Sequence, residues 1–184
     1  MVQGIAGMTL HICLLGVEST GKTTLGQKVA RRLGGHFLPE YGREFAETIG
    51  TDFSATALRS IARIHAERRR RLLATQPRLL VEDTDVVITA AWFRMLNGHA
   101  DPVLSAMPAP ADVHLLFAPD RPWVDDGTRR FVGPDREAFA RAIDLELAAR
   151  GIIPVLICGN WPERGAALAA AISARLDSNR PSSS

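Results

Sequence analysis

The segment Gly16-Val17-Glu18-Ser19-Thr20-Gly21-Lys22-Thr23 has the spacing G-x-x-x-x-G-K-[ST], the pattern a backbone needs to wrap a chain of phosphates. Its glycines let the chain curl so that successive N–H groups point inward, and the start of the following helix adds partial positive charge. In that geometry Lys22 would bridge the β- and γ-phosphates of ATP and the Thr23 hydroxyl would ligate Mg²⁺. Glu18, Ser19, Thr20 and Thr24 would complete the nucleotide wall. Lysine occurs only at Lys22 and Lys28, so a lysine in this motif is hard to assign to the general surface. A magnesium site needs a second protein ligand, usually an Asp at the end of a neighbouring apolar strand. Asp83, after Leu79-Leu80-Val81-Glu82, fits that position, although an Asp there also suits a helix cap.

The elements that must hold these residues follow from periodicity. Short apolar runs predict strands over Leu10 to Leu15, His36 to Leu38, Leu79 to Glu82, Val113 to Phe117 and Pro154 to Ile157. Helical patterns fill Lys22 to Leu33, Ala55 to Ala74, Thr89 to Leu96, Arg136 to Arg150 and Glu163 to Leu176. This alternation predicts an α/β fold: a five-stranded parallel sheet with helices on both faces and, by analogy with P-loop kinases, strand order 2-3-1-4-5. Residues 1–176 read as one domain with a lid loop near 119–135, and 177–184 as a polar, disordered tail. The segment Asn97 to Pro110, with Gly98 and three prolines, reads as a loop.

Composition narrows the classes. The 184 residues are 46% hydrophobic and 23% charged, an ordinary globular balance for one packed core. A net charge of +2 gives no nucleic-acid footprint, and the run Arg68 to Arg71 wraps most of a helix's circumference instead of forming a stripe, although one of the four could turn inward to a phosphate or to an acidic partner. No apolar run is long enough for a membrane span. Cys13 and Cys158 each read as a small buried hydrophobe, which fits a reducing, cytoplasmic setting. The five histidines lack ligand spacing and receive no role.

Four blocks carry a resemblance: Gly16 to Thr24, Glu40-Tyr41-Gly42-Arg43-Glu44-Phe45, Asp83-Thr84-Asp85 and Trp123-Val124-Asp125-Asp126-Gly127-Thr128-Arg129. In this order they resemble the ribosylnicotinamide kinase domain of NadR-type proteins. The first block fits many unrelated enzymes, whereas the second and fourth are far more specific. The resemblance implies transfer of the ATP γ-phosphate to the 5′-hydroxyl of nicotinamide riboside, a small-molecule acceptor, giving the mononucleotide for NAD synthesis. Fuller members of that family also carry an adenylyltransferase domain before the kinase, and some a DNA-binding segment; 184 residues leave room for neither.

The chemistry of these blocks suits such an acceptor. Nicotinamide riboside is a flat cation, and its pocket should offer aromatic faces and carboxylates. Tyr41, Trp92, Trp123, Asp85 and Asp126 supply them, with Arg43 meeting a phosphate or fixing Glu40; Trp92, on a helical pattern beside Phe93, also reads as core. Phosphoryl transfer asks for a carboxylate beside the attacking hydroxyl, a role for Glu40 or, alternatively, Asp85. Arg129 or Arg130 would close over the phosphates. Rival readings are a kinase of another nucleoside or small alcohol with a neutral pocket, and a regulatory nucleotide switch. The absence of an N-K-x-D base-reading motif counts against a GTPase form of the switch.

Overall fold

The computed structural model describes residues 8–50, 53–120 and 134–178. Its centre is a parallel sheet of β1 (Leu10–Leu15), β2 (His36–Leu38), β3 (Leu79–Asp83), β4 (Val113–Phe117) and β5 (Val155–Ile157), in the order β2-β3-β1-β4-β5. This is the expected order. β1 and β3 are buried on both faces, which is why they read as unbroken apolar runs. The register sets Leu14 beside Asp83 and Leu38 beside Glu82, so the chain ends of β1, β2 and β3 lie level with one another.

Helices α1 (Lys22–Arg32) and α7 (Trp161–Ser178) cover one face through Leu25, Val29, Leu168 and Ile172 packed on Ile12, Leu14 and Leu115. The other face carries α3 (Ala55–Ala74), α4 (Val86–Asn97) and α6 (Pro134–Ala149). Two short helices, α2 (Tyr41–Thr48) and α5 (Pro102–Ala106), occupy stretches that sequence reading left as connections. α5 lies inside the expected 97–110 loop; Asp101 caps it by accepting from Leu104 N at 2.9 Å, with Pro102 at its first position. That Asp-Pro pair was the available signal.

Three further differences have local causes. α4 begins at Val86, a turn before Thr89, because Asp85 caps it with an oxygen 2.8 Å from Val87 N. α7 runs through Ser178, two residues into the expected tail. Cys158 is exposed, not buried, because β5 is an edge strand whose Val155 and Leu156 are themselves open to solvent; Cys13 is buried as expected. No helix among the described residues is long and apolar enough to cross a membrane.

Candidate active site

The turn after β1 is shaped by positive φ at Gly16 (136°), Ser19 (60°) and Gly21 (89°). Gly16 is also a close approach: a Cβ there would lie 2.6 Å from the Phe117 carbonyl oxygen. Lys22, at the start of α1, folds back so that Nζ donates to the carbonyls of Gly16 (2.7 Å) and Val17 (2.9 Å), and Thr20 Oγ1 donates to Val17 O at 2.9 Å. Burial lowers the Lys22 pKa, while the charges of Asp83, Glu40 and Glu18 push it back up. The ammonium is thus stored against carbonyl oxygens, poised to exchange them for an anion.

Thr23 Oγ1 donates to Asp83 Oδ2 at 2.5 Å, and Asp83 Oδ1 is buried with no hydrogen-bond partner. Burial raises the Asp83 pKa and Lys22 opposes the rise. A hydroxyl and a carboxylate side by side, one carboxylate oxygen unsatisfied, form a hard oxygen donor set that fits Mg²⁺.

Beyond the phosphate loop opens a pocket with two unlike ends. Residues Gly16 and Glu18 to Thr24 wall one end; Phe53, Leu58, Ile61, Ile88, Trp92 and Phe139 wall the other. Glu40, Arg43, Thr84 and Thr89 also line it. Glu40 lies two residues past the end of β2, at the N-cap of α2, and is half-buried. Burial and the neighbouring Asp83 charge raise its pKa from 4.5 to about 7, with Lys22 and Arg43 restraining the rise. A carboxylate that titrates near neutrality can accept a proton there.

The structure distributes the remaining expected residues as follows. Trp92 lines the pocket while packing on Phe139 (centroids 5.6 Å apart) and Phe53 (5.2 Å), so it serves core and pocket together. Arg43 is exposed at the pocket edge. Tyr41 is buried under α3, with the Arg68 guanidinium 4.4 Å from its ring centroid. Asp85 turns inward: one oxygen caps α4 and the other lies 3.2 Å from His114 Nε2. Cys13 shares that buried cluster, and burial pushes its thiol pKa well up, so it packs there as a thiol. Trp123, Asp125, Asp126, Arg129 and Arg130 lie outside the described residues.

Sequence reading missed several partners. Phe53, just before α3, and Phe139, on α6, come from distant stretches and both reach Trp92 only in the folded chain. Arg136 reaches the carbonyls of Pro119 (2.9 Å) and Glu18 (3.4 Å) from the first turn of α6. Three side chains that had no role surround Glu82 on β3: His11 Nε2 lies 2.7 Å from it, His65 Nε2 3.0 Å and Arg69 Nη1 3.1 Å. Arg69 is thus the member of the arginine run that turns inward. A period-3.6 face count on α3 places Leu58, Ile61, His65 and Arg69 together, and that was the signal for it.

Residues 11–164 match the model of a family described as "AAA domain". The chain belongs to this AAA domain family. The chain is 30% identical over 135 residues to the "Trifunctional NAD biosynthesis/regulator protein NadR" of Salmonella typhimurium. That alignment covers 70% of this chain and 33% of the relative, so the chain spans about a third of the curated protein's length. A crystal structure of NadR protein in complex with NR superposes with a TM-score of 0.71 at 22% identity, covering 91% of this chain and 52% of that one. Thymidylate kinase from Ehrlichia chaffeensis superposes with a TM-score of 0.62 at 13% identity, covering 90% and 99%. Both likenesses place this chain in the P-loop kinase fold.

Proposed function

We propose that this protein is an ATP-dependent kinase that phosphorylates the 5′-hydroxyl of nicotinamide riboside, giving nicotinamide mononucleotide for NAD synthesis. The observation that carries the reading is Glu40: a carboxylate raised to about 7, near Lys22 and Asp83, in a pocket that the phosphate loop and Trp92 also line. Glu40 takes the proton of the 5′-hydroxyl, whose oxygen forms the new bond to the γ-phosphorus as the bond to the β,γ-bridging oxygen breaks and ADP leaves. Lys22 leaves the Gly16 and Val17 carbonyls for the phosphates. Thr23 and Asp83 would hold Mg²⁺, which when bound neutralises phosphate charge.

At the aromatic end, Trp92 and Phe53 offer ring faces to a flat cation, and Arg43 stands at the rim. Arg129, screening transition-state charge, and Trp123 and Asp126, contacting the acceptor, join the proposal on sequence grounds. The similarity to NadR, whose solved complex contains NR, supports this acceptor. Two free cysteines, one of them exposed, suit a reducing, cytoplasmic setting.

One observation favours a second reading, a kinase of a neutral nucleoside: the aromatic end brings no carboxylate among its described lining residues. ADP release from Mg-ATP, measured with nicotinamide riboside, uridine or adenosine and with the product identified by mass, separates the two. Riboside-dependent ADP with a matching mononucleotide is expected. Release with uridine or adenosine alone gives the second reading, and an equal slow rate in every tube overturns both.

A further inference from the structure

Arg164, in the first turn of α7, is the largest fully buried side chain among the described residues, yet it is a cation. It lies 144 positions from the phosphate loop in sequence and touches it directly: Nη1 donates to Thr20 O at 3.0 Å. Nη2 donates to Ala118 O at 3.0 Å and Nε to Gly159 O at 2.8 Å, so one guanidinium holds the loops that follow β1, β4 and β5. Asp120 is its ion-pair partner, and the other Asp120 oxygen accepts from Gly159 N at 2.8 Å. The guanidinium carbon lies 6.0 Å from the ring centroid of Phe117, the residue that backs Gly16.

The neighbouring Trp161 braces the same loop. Its ring sits so close to Gly21 that a Cβ there would lie 2.8 Å from Trp161 Cη2. Asn160 and Glu163 hold this turn rigid by reciprocal bonds, Asn160 N to Glu163 Oε2 (2.7 Å) and Glu163 N to Asn160 Oδ1 (3.0 Å).

A trans peptide points its carbonyl and its N–H in opposite directions. Holding the Thr20 carbonyl against Arg164 therefore turns the Gly21 N–H away from the guanidinium, and that orientation is what lets a backbone donor face an anion. Without the arginine the Thr20 carbonyl would be buried without its partner, and the peptide would be free to rotate.

We propose that Arg164 is a positioning residue for the nucleotide: its clamp on Thr20, Ala118 and Gly159 sets the direction of the phosphate-loop donors and governs affinity for ATP, not for the acceptor. Lysine keeps the charge but cannot span three carbonyls in one plane. Arg164→Lys should weaken Mg-ATP binding about tenfold to a hundredfold in a direct titration, the loss of one or two hydrogen bonds to a charged donor. The acceptor KM at saturating ATP should stay within about twofold. The titration needs no acceptor, so it reads Arg164 even if the riboside reading fails. A folded Arg164→Lys protein that binds ATP as the parent does, or loses acceptor and ATP affinity equally, overturns the proposal. If Arg164→Lys does not fold, Asp120→Asn decides: its side chain is 39% exposed, and it keeps an oxygen for Gly159 N while removing the counter-charge. A several-fold rise in the Kd for Mg-ATP is then expected, and an unchanged Kd overturns the proposal.

Discussion

Glu82 and Glu40 stand at the ends of neighbouring strands, and the folded chain treats them in opposite ways. Burial alone would raise both pKa values. At Glu82 the hydrogen bonds with His11 and His65 and the charge of Arg69 more than reverse that rise and bring the pKa down to about 2. At Glu40 the neighbouring Asp83 adds to burial, and the pKa climbs to about 7. The lesson is that partners, not depth, decide which way a buried carboxylate's proton affinity moves. The fully paired one holds α3 to the sheet; the underpaired one keeps an affinity for a proton that chemistry can use.

The strongest way to break this comparison is Glu82→Ala. It leaves His11, His65 and Arg69 buried around a void, and the protein should lose about 3–5 kcal/mol of stability in denaturant unfolding. A loss below about 1 kcal/mol would mean that the cluster only packs. Next in size, Glu40→Gln should lower kcat about a hundredfold or more while leaving ATP affinity near the parent value, as expected for a lost general base. Equal loss of ATP affinity would move Glu40 out of that role.

Acidity sharpens the contrast. With Glu40 as base, kcat/KM should rise with pH through about 7 and then level, and this limb should vanish in Glu40→Gln. Stability runs in two directions. The Glu82 contribution, about 3 kcal/mol, is present above its unfolded value of 4.5 and is lost as pH falls toward 2. Glu40, raised in the folded state, contributes stability below 4.5 that is lost as pH rises through about 7. The smallest effect follows: Glu40→Gln should raise the ligand-free Tm at pH 8 and not at pH 4, and a drop at pH 8 would contradict the raised pKa.

How much of this was legible in the sequence follows from how local each signal is. The five strands and the phosphate loop were readable because strand burial and loop spacing are written in consecutive residues. α2 was not: only Tyr41 of its eight residues is buried, and Glu40 makes no side-chain cap bond, so neither periodicity nor capping announced it. Glu82 was hidden inside an apolar run, and its partners lie 71, 17 and 13 positions away, a relation only strand register and helix packing create. Arg164 sat in a helical pattern read from apolar spacing alone, which does not show that its guanidinium is buried against three loops.

Thr84 holds φ at 64°, a left-handed conformation that a β-branched residue rarely adopts, with its N–H bonded to Leu14 O and its carbonyl to His65. Around this bend four consecutive residues face four environments: Glu82 the histidines, Asp83 Thr23, Thr84 the pocket and Asp85 His114. The segment therefore behaves like a reading frame. Three of the four residues are acidic, yet none can stand in for another, because a slip of one place would hand each carboxylate to the wrong addressee.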